Sequence, residues 1–71
     1  MKIRFTSHAQ YRIEERGISI LRITSTLRTP GKKRLAYENK LTKQKQFGGK
    51  ILEVVYIKNK NYFIVITAYY L

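Results

Sequence analysis

The chain has 71 residues, 44% of them hydrophobic, with 15 Lys/Arg against 4 acidic residues and a formal charge of +11. A single domain of this length buries only about 60% of its unfolded surface, so its core is thin, yet the apolar fraction is too high for a disordered polyelectrolyte. Cysteine is absent, which excludes disulfides and thiolate metal sites and suits a reducing cytoplasm.

All the acids are glutamates. A charge surplus on this scale opposes compaction and attracts polyanions. Nucleic acid is the first partner it suggests, an acidic protein the second and an anionic membrane surface the third. The segment Met1-Lys2-Ile3-Arg4-Phe5 has no apolar run behind it, so no signal peptide is expected. The longest apolar run, Tyr62 to Ile66, is far short of the roughly 20 residues of a membrane-spanning helix, so no membrane role is expected.

Residues 2–6 alternate, with Ile3 and Phe5 on one side, and read as a short strand. Ser7 is a good N-cap, and Ser7-x-x-Gln10 fits a capping box. Gly17 is a natural stop, so the first helix is expected over 8–16. Ser19 caps a second helix over 20–28, whose stripe Ile20, Ile23, Thr24 and Leu27 is expected to face the core. Pro30-Gly31 breaks the chain.

The remainder is β-like. Lys33 to Glu38 reads as one strand and Thr42 to Phe47 as a short further one, with Gly48-Gly49 as a turn. Ile51 to Ile57 and Tyr62 to Tyr70 read as strands joined by the hairpin loop Lys58-Asn59-Lys60-Asn61. In the last strand Ile64, Ile66 and Ala68 are assigned to the helix side, and Phe63, Val65, Thr67 and Tyr69 to the other. The expected fold is a single compact β-α-α-β-β-β domain over 1–71, of the α+β class, with two N-terminal helices packed on an antiparallel sheet.

On the first helix, at about 100° per residue, Ala9 and Ile13 form the apolar stripe, while His8, Arg12 and Glu15 form another with Arg16 at its flank. His8 and Arg12 are (i, i+4) neighbours and can converge on one ligand. His8 is the only histidine. In the first turn, the positive helix end and Arg12 both disfavour imidazolium, so a neutral base able to take a proton from a ribose 2′-hydroxyl is expected. The plainer alternative is a surface histidine at a helix start. Arg12 and Arg16 can hold a phosphate and stabilise charge on its oxygens. They can equally pair with Glu14 or Glu15.

Between Arg28 and Lys50 lie eight Lys/Arg and a single Glu, with Tyr37 and Phe47 interleaved. Arg4, Lys32, Lys33, Arg34, Lys43 and Lys45 can track a phosphate backbone, with Tyr37 and Phe47 as stacking surfaces and Tyr69 as a further nucleic-acid-binding residue. Ordinary edge protection by lysine is the alternative. Thr67 and Tyr69 offer hydroxyls that can position a phosphate, or serve as sheet-face packing. One His, no Cys and no Asp give a poor donor set for zinc, the scattered glutamates a poor one for a two-metal nuclease, and Gly48-Gly49 lacks phosphate-loop spacing, so no metal or other cofactor is called for.

The run His8-Ala9-x-x-Arg12-x-x-x-Arg16-Gly17-Ile18-Ser19, the two-helix start and the closing Ile66-Thr67-Ala68-Tyr69 resemble a small prokaryotic domain of unknown function. That family is grouped with the RelE/ParE-like toxins and, more widely, with the barnase–colicin–RelE nuclease fold. The resemblance implies a toxin of a toxin–antitoxin system that cleaves RNA without metal and leaves a cyclic phosphate. It also implies that His8 is the acid–base residue, Arg12 and Arg16 are phosphate ligands, and Thr67 is an active-site hydroxyl. RelE-type toxins usually draw catalytic groups from the sheet and C-terminal segment, whereas this histidine lies on the first helix.

The expected function is therefore a cytoplasmic, metal-independent endoribonuclease toxin acting by 2′-hydroxyl attack, with RNA and an acidic antitoxin as partners. The alternative is a non-catalytic basic module that binds nucleic acid or, like ParE, a protein target. Tyr69-Tyr70-Leu71 offers an apolar strand end for a homodimer or an antitoxin.

Overall fold

The computed structural model describes residues 2–36 and 38–71. The elements run β1 (Lys2–Phe5), α1 (Ser7–Arg16), α2 (Ile20–Arg28), β2 (Lys32–Leu35), β3 (Leu41–Phe47), β4 (Lys50–Lys58) and β5 (Tyr62–Tyr70). This is an α+β domain with a five-stranded sheet in the order β1-β5-β4-β3-β2. The expected order β-α-α-β-β-β counted one strand too few: both segments read as β-like between the second helix and Gly48 are strands, Lys32–Leu35 and Leu41–Phe47, giving β-α-α-β-β-β-β. The sheet is also mixed rather than antiparallel. β2 to β5 form an antiparallel meander, and β1 joins the β5 edge in parallel. Hairpin connections impose antiparallel pairing, but β1 has no hairpin to its partner. Among the described residues no helix is long and apolar enough to cross a membrane.

Local chemistry sets the helix ends. Thr6, rather than Ser7, is the N-cap of α1, its hydroxyl accepting from the Ala9 amide at 3.0 Å. Gly17 ends the helix in the left-handed region at φ 63°, and its amide returns to Glu14 and Ile13. Ser19 caps α2 as the sequence implies. The buried face of α2 is Ile23, Thr26 and Leu27, whereas Ile20 is half exposed. Thr26 is tolerated inside because its hydroxyl donates to the Arg22 carbonyl at 2.8 Å.

Both helices cover one face of the sheet. Ile23 and Leu27 meet Leu52 and Val54 of β4 and Val65 of β5 in the core, with Ala9 and Ile13 of α1. Full burial of each such aliphatic side chain stabilises by about 1.5–3 kcal/mol. A β-bulge decides which β5 residues join them. Val55 pairs with Thr67 but Tyr56 pairs with Val65, so Ile66 is the extra residue. The inside–outside alternation therefore inverts at Ile66. Phe63, Val65 and Ala68 are buried on the helix side. Ile64, Thr67 and Tyr69 lie on the open face, which corrects the expectation for Phe63, Val65 and Ile64 and keeps it for Thr67, Tyr69 and Ala68.

Candidate functional site

Strand register places a basic rim on each side of the open face. Lys2 and Arg4 align with Tyr62 and Ile64 at the β1 edge, and Lys32 and Arg34 align with Gln44 and Thr42 at the β2 edge. Arg4 stacks on Tyr62 with its guanidinium carbon 4.3 Å from the ring centroid, and Nη2 donates to the Tyr62 hydroxyl at 3.2 Å. Between the rims, one half of the floor is apolar (Val55, Ile57, Ile64) and the other polar (Gln44, Glu53, Thr67, Tyr69).

The polar half is a connected network. Gln44 Nε2 donates to Glu53 Oε1 at 2.6 Å, and the Tyr69 hydroxyl donates to Glu53 Oε2. That hydrogen bond, helped by burial and the Glu53 charge, pushes the Tyr69 phenol up to about 12, against a smaller opposing pull from Arg16. Neither Gln44 nor Glu53 is evident as a site residue from composition. A signal exists nonetheless: centring the hairpin on Gly48-Gly49, with Phe47 opposite Lys50, places Gln44 opposite Glu53.

Arg16 joins α1 to this network. β1 pairs with β5 only as far as Val65. Beyond that point, among the described residues, no strand lies on this edge of β5, and Arg16 Nη1 takes its place. It donates to the Ala68 carbonyl at 2.8 Å and to Thr67 Oγ1 at 3.3 Å, and the guanidinium lies 6.0 Å from the Tyr69 ring centroid. Both bonds use Nη1, so Nη2 and Nε keep N–H groups for a ligand. Two expected site residues, Arg16 and Thr67, thus meet across 51 positions of sequence.

His8 lies exposed in the first turn of the same helix, and Arg12 one turn further on. His8 and Arg16 are separated by roughly 12 Å along the helix axis, so they share a flank and not a contact. Arg12 Nη1 is paired with Glu15 at 2.9 Å, the local alternative foreseen for it.

The remaining expected residues divide by face. Lys32, Arg34 and Arg4 are exposed on the open side, and Lys33 is exposed on the other side of β2. Lys43 does not join that surface. It is buried, donates from Nζ to the Leu27 carbonyl at 2.7 Å, and lies 4.4 Å and 5.2 Å from the Phe63 and Tyr56 ring centroids. Burial holds its ammonium below the ordinary lysine value, with Lys33 and Lys58 adding repulsion. Lys45 also turns toward α2, donating to Ser25 Oγ at 2.7 Å and Thr29 Oγ1 at 2.6 Å. Tyr37 lies outside the described residues. Among the described residues, no three His, Asp or Glu side chains gather to hold a metal ion.

No curated protein and no solved structure is significantly similar to this chain. One family model matches residues 5–70, from the last residue of β1 through both helices to the end of β5. The chain therefore belongs to the family described as Domain of unknown function (DUF4258).

Proposed function

We propose that this domain binds RNA on the open face of its sheet and around the β5 edge where α1 meets it, and cleaves it there without a metal, by attack of a ribose 2′-hydroxyl on the adjacent phosphate. The observation that carries the reading is the Arg16–Thr67 contact, which sets a guanidinium with free N–H groups beside a hydroxyl on a rimmed, basic face. His8 takes the 2′-hydroxyl proton, and the 2′-oxygen bonds to phosphorus. Arg16 stabilises the charge on the phosphoryl oxygens, with Arg12 released from Glu15. The bond from phosphorus to the 5′-oxygen breaks, that oxygen takes a proton from water, and the hydroxide left takes the proton from His8. The products are a 2′,3′-cyclic phosphate and a 5′-hydroxyl. This is the chemistry implied by the resemblance to RelE/ParE-like toxins, and it carries with it an acidic antitoxin that would neutralise the +11 surplus.

A second reading is a non-catalytic basic module for nucleic acid or a protein target. It is favoured by the structural use of Arg16 Nη1 on the Ala68 carbonyl and of Arg12 on Glu15. Cleavage of total RNA and tRNA in EDTA, with and without ribosomes, separates the two. The first reading expects cyclic-phosphate products from wild type, and none from His8→Ala at unchanged melting temperature and RNA affinity. No cleavage by wild type under either condition favours the binding module. Equal cleavage by His8→Ala removes His8 from the mechanism.

A further inference from the structure

At the end of the sheet where β5 finishes, a second group of cations sits on aromatic rings. Arg22 of α2 donates from Nη1 to the Tyr70 hydroxyl at 2.9 Å, with its guanidinium carbon 5.0 Å from the Phe47 ring centroid. Lys50, across the β3–β4 turn from Phe47, places Nζ 5.3 Å from the Tyr70 ring centroid. Both cations are exposed, whereas Phe47 and Tyr70 are half-buried against the core. The two charges thus converge on one phenol from different elements.

Among the described residues neither cation is paired with a carboxylate. Among the described residues the one ion pair is Arg12–Glu15, and Glu53 is engaged by Gln44 and Tyr69 on the opposite face. Each cation is attracted to a ring, while the two like charges repel one another. An anion between them removes the repulsion and keeps both ring contacts. The rings add what a bare phosphate site lacks, an apolar and π-rich surface at which an unpaired base can stack.

We propose that Arg22, Phe47, Lys50 and Tyr70 form a second nucleotide subsite for single-stranded RNA. One phosphate lies between Arg22 and Lys50, and one base lies against the Phe47 ring. Tyr69 and Tyr70 are adjacent in β5 but face opposite sides of the sheet, so a strand seated at Arg16–Thr67 reaches this subsite by passing around the sheet end. Duplex RNA has no free base to offer the ring, which makes the subsite selective for single strands. The inference rests on the RNA-binding reading above and names its substrate form.

The test is fluorescence anisotropy with a labelled 2′-O-methyl oligouridylate of about ten nucleotides, which cannot be cleaved, beside a duplex of the same length. Arg22→Gln, Lys50→Gln and the volume-sparing Phe47→Leu are compared with Lys60→Gln, which lies in the loop at the other end of β5. Each of the first three is expected to weaken single-strand binding about tenfold. The two charge variants should each lower the salt slope by about 0.7. Duplex binding and the Lys60→Gln variant should change by less than about twofold. Wild-type affinity in both Arg22→Gln and Lys50→Gln, or an equal loss in Lys60→Gln, overturns the subsite and leaves the RNA reading standing. Failure of wild type to bind the single strand overturns both.

Discussion

The ammonium of Lys43 donates to the carbonyl of Leu27 at 2.7 Å, 16 positions earlier in the chain and close to the C-terminal end of α2. A lysine that reads as a phosphate ligand is instead a helix cap, placed where a cation complements the negative end of the helix. Lys43→Ala removes the donor and opens a cavity beside Phe63, and should cost about 2–4 kcal/mol in urea unfolding. Lys43→Met fills the space and removes a buried charge, so its cost should be about 1 kcal/mol, with RNA affinity unchanged.

The pH dependence of that pair of proteins has a defined sign. Burial, then Lys33 and Lys58, lower the Lys43 value in the fold from the ordinary 10.5. The unfolded chain therefore holds this proton to higher pH than the native one. The penalty for the buried charge is present in full below the folded value and is relieved as pH rises from there to 10.5. The stability of wild type relative to Lys43→Met should climb across that window.

Tyr69 predicts the opposite trend. The hydrogen bond to Glu53, then burial, raise its phenol from 10.0 to about 12. Its stabilising contribution is complete below pH 10.0 and is lost as pH rises toward about 12. Tyrosinate absorbance across the six tyrosines should contain a late step that Tyr69→Phe deletes and Glu53→Gln moves back toward 10.0. Tyr56, raised by burial alone, should also titrate late but should not respond to Glu53→Gln.

On the proposed ribonuclease reading, Arg16 should matter to catalysis more than to folding. Its side chain is exposed, but its guanidinium donates to the Thr67 hydroxyl at 3.3 Å. Arg16→Lys keeps the charge and loses the planar fork, so kcat on RNA should fall roughly 10²–10³-fold while Tm moves little. Thr67→Ser should retain most activity and Thr67→Val should not, because valine lacks the hydroxyl that accepts from Arg16. A uniform loss of Tm across these variants would assign the pair a structural role.

Gly17 isolates a backbone effect. It adopts φ +63°, and beyond its immediate chain neighbours no heavy atom lies within 4 Å of where a Cβ would stand. Gly17→Ala should therefore cost about 1 kcal/mol through conformation alone, with no change in RNA binding. Unfolding in urea gives the figure directly.

Much of this architecture is readable along the chain, because helix ends and hairpins are local. Ser19 and Arg28 bound α2, Gly17 closes α1, and Tyr62–Tyr70 is the last strand, all as patterning implies. Less local features escape it. Nothing near Ile66 marks a bulge, because the bulge is the mismatch between β5 and its partner β4. The burial of Thr26 rather than Ile20 depends on a hydroxyl finding the Arg22 carbonyl, which a hydrophobicity pattern does not register.

The sequence by itself determines the surplus of positive charge, the two helices, and their ends at Gly17, Ser19 and Arg28. Tertiary structure alone decides which cations remain available to a ligand. Lys43 and Lys45 are spent on α2, Arg12 is paired within its own helix, and Arg16, Arg22 and Lys50 stand on aromatic rings around the end of β5. A charge belongs to a residue, but its accessibility belongs to whatever lies within a few ångströms of it, and those neighbours come from distant parts of the chain.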